Sequence, residues 1–186
     1  MTLIKYRNTD DAAAPMDLFR GAPISTGGDE AGFPSVASTN AGRLHFREDL
    51  ADWFYRDDTR EKWVGTQLIA VGGWYSASRA ATNYLKMSDG GTLVYSATMG
   101  FVAPFQMTCV GMAAAVAASS TCTFSVYDDG SAVGSAVLAL SSATSGRDIA
   151  LDTGLIAAGS VVSLAVTAGT AVDGTHLTAY FRRTEA

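Results

Sequence analysis

The chain has 186 residues, 48% hydrophobic and 17% charged, with a formal net charge of −5, enough for one good domain with appendages. The acidic balance excludes a general nucleic-acid binder, which needs a basic face for phosphates, and no apolar run reaches the ~18 residues of a membrane-spanning helix. The start, MTLIKYRNTDDAAAP, lacks a signal peptide's apolar core because Lys5, Arg7, Asp10 and Asp11 interrupt it, so folding in the cytoplasm is expected.

Residues 1–40 read as an extended N-terminal arm. Leu3, Ile4 and Tyr6 suit a short strand, and Met16, Leu18 and Phe19 form an apolar cluster after Pro15. The following GAPISTGGDEAGFPSVASTN has two prolines, four glycines and no periodicity. Such a segment gains too little from its own contacts to offset the entropy of ordering. Leu18, Phe19, Ile24 and Phe33 are spaced like anchors for a partner surface; the plainer alternative is a disordered tail with incidental apolar residues.

Residues 41–66 concentrate charge and aromatics in GRLHFREDLADWFYRDDTREKWVG. Arg43–Arg47 alternates, which predicts a strand with Leu44 and Phe46 facing one way. Trp53-Phe54-Tyr55, the turn-forming Arg56–Arg60 and Lys62-Trp63-Val64 predict a β-hairpin neck. Stacking of Trp53 or Tyr55 on Trp63 across the hairpin is expected to help hold it. A lone hairpin is marginal in water, so these three aromatics are also the candidate seam of an oligomer. The competing pattern is an amphipathic helix over Glu48–Trp63, weakened by the Asp57-Asp58-Thr59 cluster.

From residue 67 to 186 the pattern is β. Leu68–Val71 is expected to close at Gly72-Gly73, with Trp74-Tyr75 opening another run. Ser88–Gly91 reads as a turn, and Cys122, Phe124 and Val126 alternate with Thr121, Thr123 and Ser125 before a turn at Asp128-Asp129-Gly130. Val162, Leu164 and Val166 form a second alternating strand; Leu177, Ala179 and Phe181 form a third, with His176, Thr178 and Tyr180 opposed. Gly111–Ala118 is ambiguous between a short helix and a hairpin apex. Seven or eight strands at this spacing predict an all-β, jelly-roll-like β-sandwich. Residues 66–186 carry only 5 Lys+Arg and 7 Asp+Glu, which suits an oligomer that hides surface, or a Ser/Thr exterior that supplies polarity alone.

Little points to catalysis, a cofactor or a metal. His45 and His176 are far apart, each in an alternating pattern where a surface position is the default, and no HExxH, GxSxG, CxxC or P-loop pattern occurs. Asp57 with Asp58, and Asp128 with Asp129, are adjacent pairs in turns rather than spaced acid–base carboxylates. An apex near Ala115 would oppose Cys109 and Cys122 across a ladder, with the thiols reduced in a cytoplasmically folded chain.

Gly42–Phe46 followed by Trp53–Trp63 resembles a short hairpin module of tailed-bacteriophage fibre and spike proteins. Gly100–Phe105 and Ala158–Leu164 resemble strand signatures of small jelly-roll heads in such fibres. The resemblance covers about Gly42 to Arg183 and carries no catalytic residue. It implies a virion structural protein, commonly a homotrimer, whose arm binds the major capsid protein or another virion component. Capsid decoration or a head fibre is the favoured role, since a short chain with one hairpin module and one head suits a small surface appendage better than a long tail fibre with its extended shaft. The alternative is a tail or baseplate receptor-binding fibre that contacts a host glycan through loops such as Ser141–Arg147 and Ala168–Gly174. No nucleic acid and no membrane enters either picture.

Overall fold

The structure is a computed structural model and describes residues 24–28, 44–47, 52–57, 59–81, 83–87, 96, 99–172 and 174–185. Among these there is no helix. The strands are β1 (Ile24–Gly28), β2 (Leu44–Arg47), β3 (Asp52–Asp57), β4 (Lys62–Tyr75), β5 (Arg79–Ala80) and β6 (Asn83–Tyr84). They continue as β7 (Phe101–Val102), β8 (Met107–Asp128), β9 (Ser131–Asp148), β10 (Leu155–Ile156), β11 (Val161–Ala171) and β12 (Thr175–Glu185). The all-β, sandwich-like expectation holds. The chain divides into two compact units, Met1–Thr66 and Gln67–Glu185.

In the first unit β1 pairs in parallel with β2, and β2, β3 and the start of β4 form an antiparallel meander. The hairpin expected between β3 and β4 is present, with Asp57 facing Lys62. Asp57 shapes its turn by accepting the Arg60 backbone N–H at 3.1 Å and pairing with the Arg60 guanidinium. The helix alternative for Glu48–Trp63 is thereby set aside. Which face is buried differs from expectation. His45 faces Phe54, and Arg56 faces Trp63, and this face is shut: His45 and Trp63 are each 1% exposed. His45 is therefore a buried residue, while Leu44 and Phe46 lie half-buried on the other side. Trp63 cannot stack on Trp53 or Tyr55, because the register directs it to the opposite face. Its ring meets His45 at 6.0 Å, and Trp53 instead meets Phe46 at 5.1 Å.

The second unit is built on β8, which at 22 residues is about 70 Å of extended chain, far beyond an ordinary strand. On one side β9 follows it from Asp128↔Ser131 to Met112↔Asp148. On the other side β11 and β12 act as one interrupted strand. Gly169 faces Cys122, and seven residues further on His176 faces Ala115, seven residues back, so the register crosses 172–174 without slipping. The Gly111–Ala118 segment is neither helix nor apex. Met112, Ala114 and Val116 point inward, and Met112–Ala115 is paired on both sides, which overrides alanine's helix preference. Cys109 and Cys122 consequently lie thirteen residues apart along one strand, roughly 40 Å of contour, both buried and not joined in a disulfide. The ladder expected between them does not form.

Bulges switch the buried parity. A register shift opposite Tyr180 and Phe181 changes the inward set of β8 from Met107 and Cys109 to Met112, Ala114 and Val116. A shift between Val166 and Ala168 does the same for β11. All three long strands are irregular at one level. Four residues of β8, 116–119, oppose the single Thr144 of β9. Ser142 adopts φ 49°, and 172–174 separates β11 from β12. Bulges of this kind sharpen bend and twist. Here the inward residues of both halves join one apolar cluster that contains Met112, Leu177, Phe124 and Leu164 together.

Residues 149–156 line the same core, with Leu151 and Ile156 buried. Thr153 Oγ1 accepts from the Cys109 N–H at 3.0 Å and donates to the Cys109 carbonyl at 3.2 Å. It lies 3.0 Å from Thr108 Oγ1, and β10 then pairs with Thr108 and Met107. On the far edge of β11 sit β5, β6 and β7. Two further expectations change. Gly72-Gly73 does not end a strand, because β4 runs through to Tyr75; a Cβ at Gly73 would stand 3.0 Å from Leu85 and 3.1 Å from Leu164. The segments 141–147 and 168–171, expected as loops, are strand.

Candidate functional site

The second unit exposes one face of its sheet on which aromatic side chains gather. Val71, Leu85, Val126 and Leu164 are buried in the core, so strand alternation sends Tyr84, Lys86, Tyr127 and Ser163 to the other face. Trp74 joins them because it bridges Lys86, with backbone bonds of 2.8 and 2.9 Å. Across this face Tyr84 opposes Ala165, which opposes Ser125; Tyr127 opposes Ser163. The two phenol rings meet edge to face at 5.3 Å. Small side chains beneath them allow this approach: Ser125, Ser163 and Ala165 are buried although they point away from the core.

Polar groups are interleaved with the rings. Ser125 Oγ and Thr167 Oγ1 are 3.0 Å apart, while Ser163 Oγ is buried with no hydrogen-bond partner among the described residues. Lys86 Nζ lies 5.8 Å from the Trp74 ring centre and 5.6 Å from that of Tyr75, within cation–π range. Burial pushes the Tyr84 phenol above its ordinary range, and the neighbouring Tyr127 pushes it further. The patch offers π-faces, phenol hydroxyls and an ammonium group, the chemistry that stacks on and hydrogen-bonds a polyhydroxylated ring. It holds no nucleophile–base pair.

Sequence reasoning missed this patch. The available signal was Tyr127 in the polar parity of Thr123 and Ser125, where a large aromatic has no core to fill. Its neighbours Trp74 and Tyr84 come from other strands, and only pairing through β11 and the Trp74 bridge brings them together.

The residues singled out beforehand are scattered. Leu18, Phe19 and Phe33 lie outside the described residues; Ile24 opens β1 and faces Leu44. Trp53, 41% exposed, and half-buried Tyr55 share one face of the neck, and Trp63 occupies the other. His45 belongs to the first unit, whereas His176 is exposed on β12 of the second. Asp57 serves its turn, and Asp58 is outside the described residues. Asp129 accepts the Val161 N–H at 2.8 Å from a left-handed backbone at φ 44°, so it too ties a turn together. Among the described residues no three His, Cys, Asp or Glu side chains converge as metal ligands. No protein-family model matches the chain, and no curated protein matches it.

Proposed function

We propose that the chain is a structural protein of a tailed-phage virion, a capsid decoration protein or head fibre. Residues 1–40 attach it to the major capsid protein or another virion component, and the β unit projects as a homotrimer. The observation that carries this reading is the use of the second unit's interior. Apolar side chains from Val71 to Phe181 fill it, and its buried Thr108–Thr153 pair ties the segment before β10 onto β8. Such a body suits a mechanical role, and the resemblance of Gly42–Arg183 to phage fibre modules supplies the context. Removing residues 1–40 is expected to abolish binding to the particle while the remaining protein keeps its β circular dichroism. Stoichiometric binding by the truncated protein would sink the proposal, as would monomeric mass by light scattering for the trimer.

The second reading, a tail or baseplate fibre that binds a host glycan, is favoured by one feature, the Trp74–Lys86–Tyr84–Tyr127 face. Antibody labelling separates the two: decoration over the capsid supports the first reading, and decoration confined to the tail tip supports the second.

A further inference from the structure

The 18-residue strand β9 pairs along one edge only: among the described residues β8 is its sole strand partner. Its other edge lacks two of the usual protections over most of its length. From Ser131 to Gly146 it contains no charged residue and no proline, the two commonest devices that keep a sheet edge from accepting another strand. Bulges break its register near Ala132 and near Ser142, but between them Val137–Leu140 keeps constant register with Cys122–Ser125. That stretch is regular ladder. Leu138 and Leu140 are buried beneath it, whereas Val137 (39% exposed) and Ala139 face solvent. These four residues of regular antiparallel edge present about two outward N–H and two outward C=O groups. Ile149, 69% exposed, extends the apolar character just past the end of the strand.

We infer that the outer edge of β9, centred on 136–141, pairs with a strand edge of a second copy of this chain. This rests on the homo-oligomeric reading above and places its contact on backbone hydrogen bonds rather than on the neck aromatics. A second copy is the occupant that the charge pattern favours. A low-charge edge on a unit with only 12 charged residues in positions 66–186 has neither the Lys nor the Glu that would select a charged partner, and nothing that rejects itself. β-strand addition gains affinity from the main chain and needs only small or apolar side chains alongside, which Val137, Ala139 and Ser141 supply.

The test is hydrogen–deuterium exchange of the full chain at two concentrations, set by light scattering above and below dissociation. The expected result is slow exchange of 136–141 in the assembled chain and at least about tenfold faster exchange on dilution, with the Cys122–Val126 segment of β8 slow in both. If 136–141 exchanges fast in the assembled chain, this inference fails and the oligomer stands. Slow exchange at both concentrations means that the chain covers its own edge, which also overturns it. A chain that is monomeric at every concentration overturns both this contact and the trimer.

Discussion

Thr153 shows how one hydroxyl can hold an irregular segment to a strand. It both accepts from and donates to the Cys109 backbone. Thr153→Val keeps the volume and strands a buried N–H, which costs about 1–3 kcal/mol; Thr153→Ser should restore most of it, as read from urea midpoints. Gly169 carries a different constraint. Its φ is +67°, and a Cβ there would run into the Thr121 carbonyl oxygen. Gly169→Ala is expected to cost about 2 kcal/mol or more, beyond an ordinary surface substitution, by the same measurement. At Cys122, burial pushes the thiol above its ordinary value of 9.0. The folded chain then holds this proton more tightly than the unfolded one. Stability should be unaffected by the group below pH 9 and fall as pH rises past it. Denaturant titrations from pH 8 to 10.5 should show a shallower decline for Cys122→Ala; an identical decline would remove Cys122 as the cause.

Between elements, register decides what single residues cannot. The β3–β4 hairpin was legible because Asp57, Asp58 and Thr59 favour turns and the flanking residues favour strands. Which aromatics it would pair was not, since shifting a strand by one residue exchanges its two faces. Trp63 fell on the His45 face for that reason. The same turn places Glu61 at φ 51°, a conformation that disfavours a Cβ. Glu61→Gly should therefore stabilise the first unit by about 0.5–1 kcal/mol, visible as a higher melting temperature; a loss would show that the Glu61 side chain contributes more than its backbone strain costs. The β8–β9 turn was equally legible: Asp129 and Gly130, at φ 44° and 85°, form the two-residue turn with both central φ positive that Asp-Gly favours. The length of β8 was not. Ala113–Ala118 has a composition that suits a helix, and partners on both edges of Ala113–Ala115 hold the segment as strand.

For the whole molecule, the consequence of β8 is a gradient of protection. Its Cys122–Val126 segment has β9 on one side and β11 on the other and faces the core. These amides should be the slowest to exchange in the chain, opening only with global unfolding; faster exchange there than in β12 would contradict the description of β8 as the central strand. The interior of the second unit is filled, and among the described residues the outer edge of β9 has no strand partner. The aromatic face through Trp74, Tyr84 and Tyr127 gathers, among the described residues, rings and polar groups suited to meeting a ligand.

The amino-acid sequence by itself determined the β class, the turns at Asp57–Arg60 and Asp128–Gly130, and the inward sets Cys122/Phe124/Val126, Val162/Leu164/Val166 and Leu177/Ala179/Phe181. Those are local properties, set by turn chemistry and two-residue alternation. Tertiary structure alone decided that Gly111–Ala118 is strand, that Trp63 leaves Trp53, that the two cysteines lie far apart along one strand, and that Tyr84 meets Tyr127. Each depends on pairing between segments distant in sequence. Alternation states only that a residue faces one of two sides; the neighbouring strand decides which side is the core.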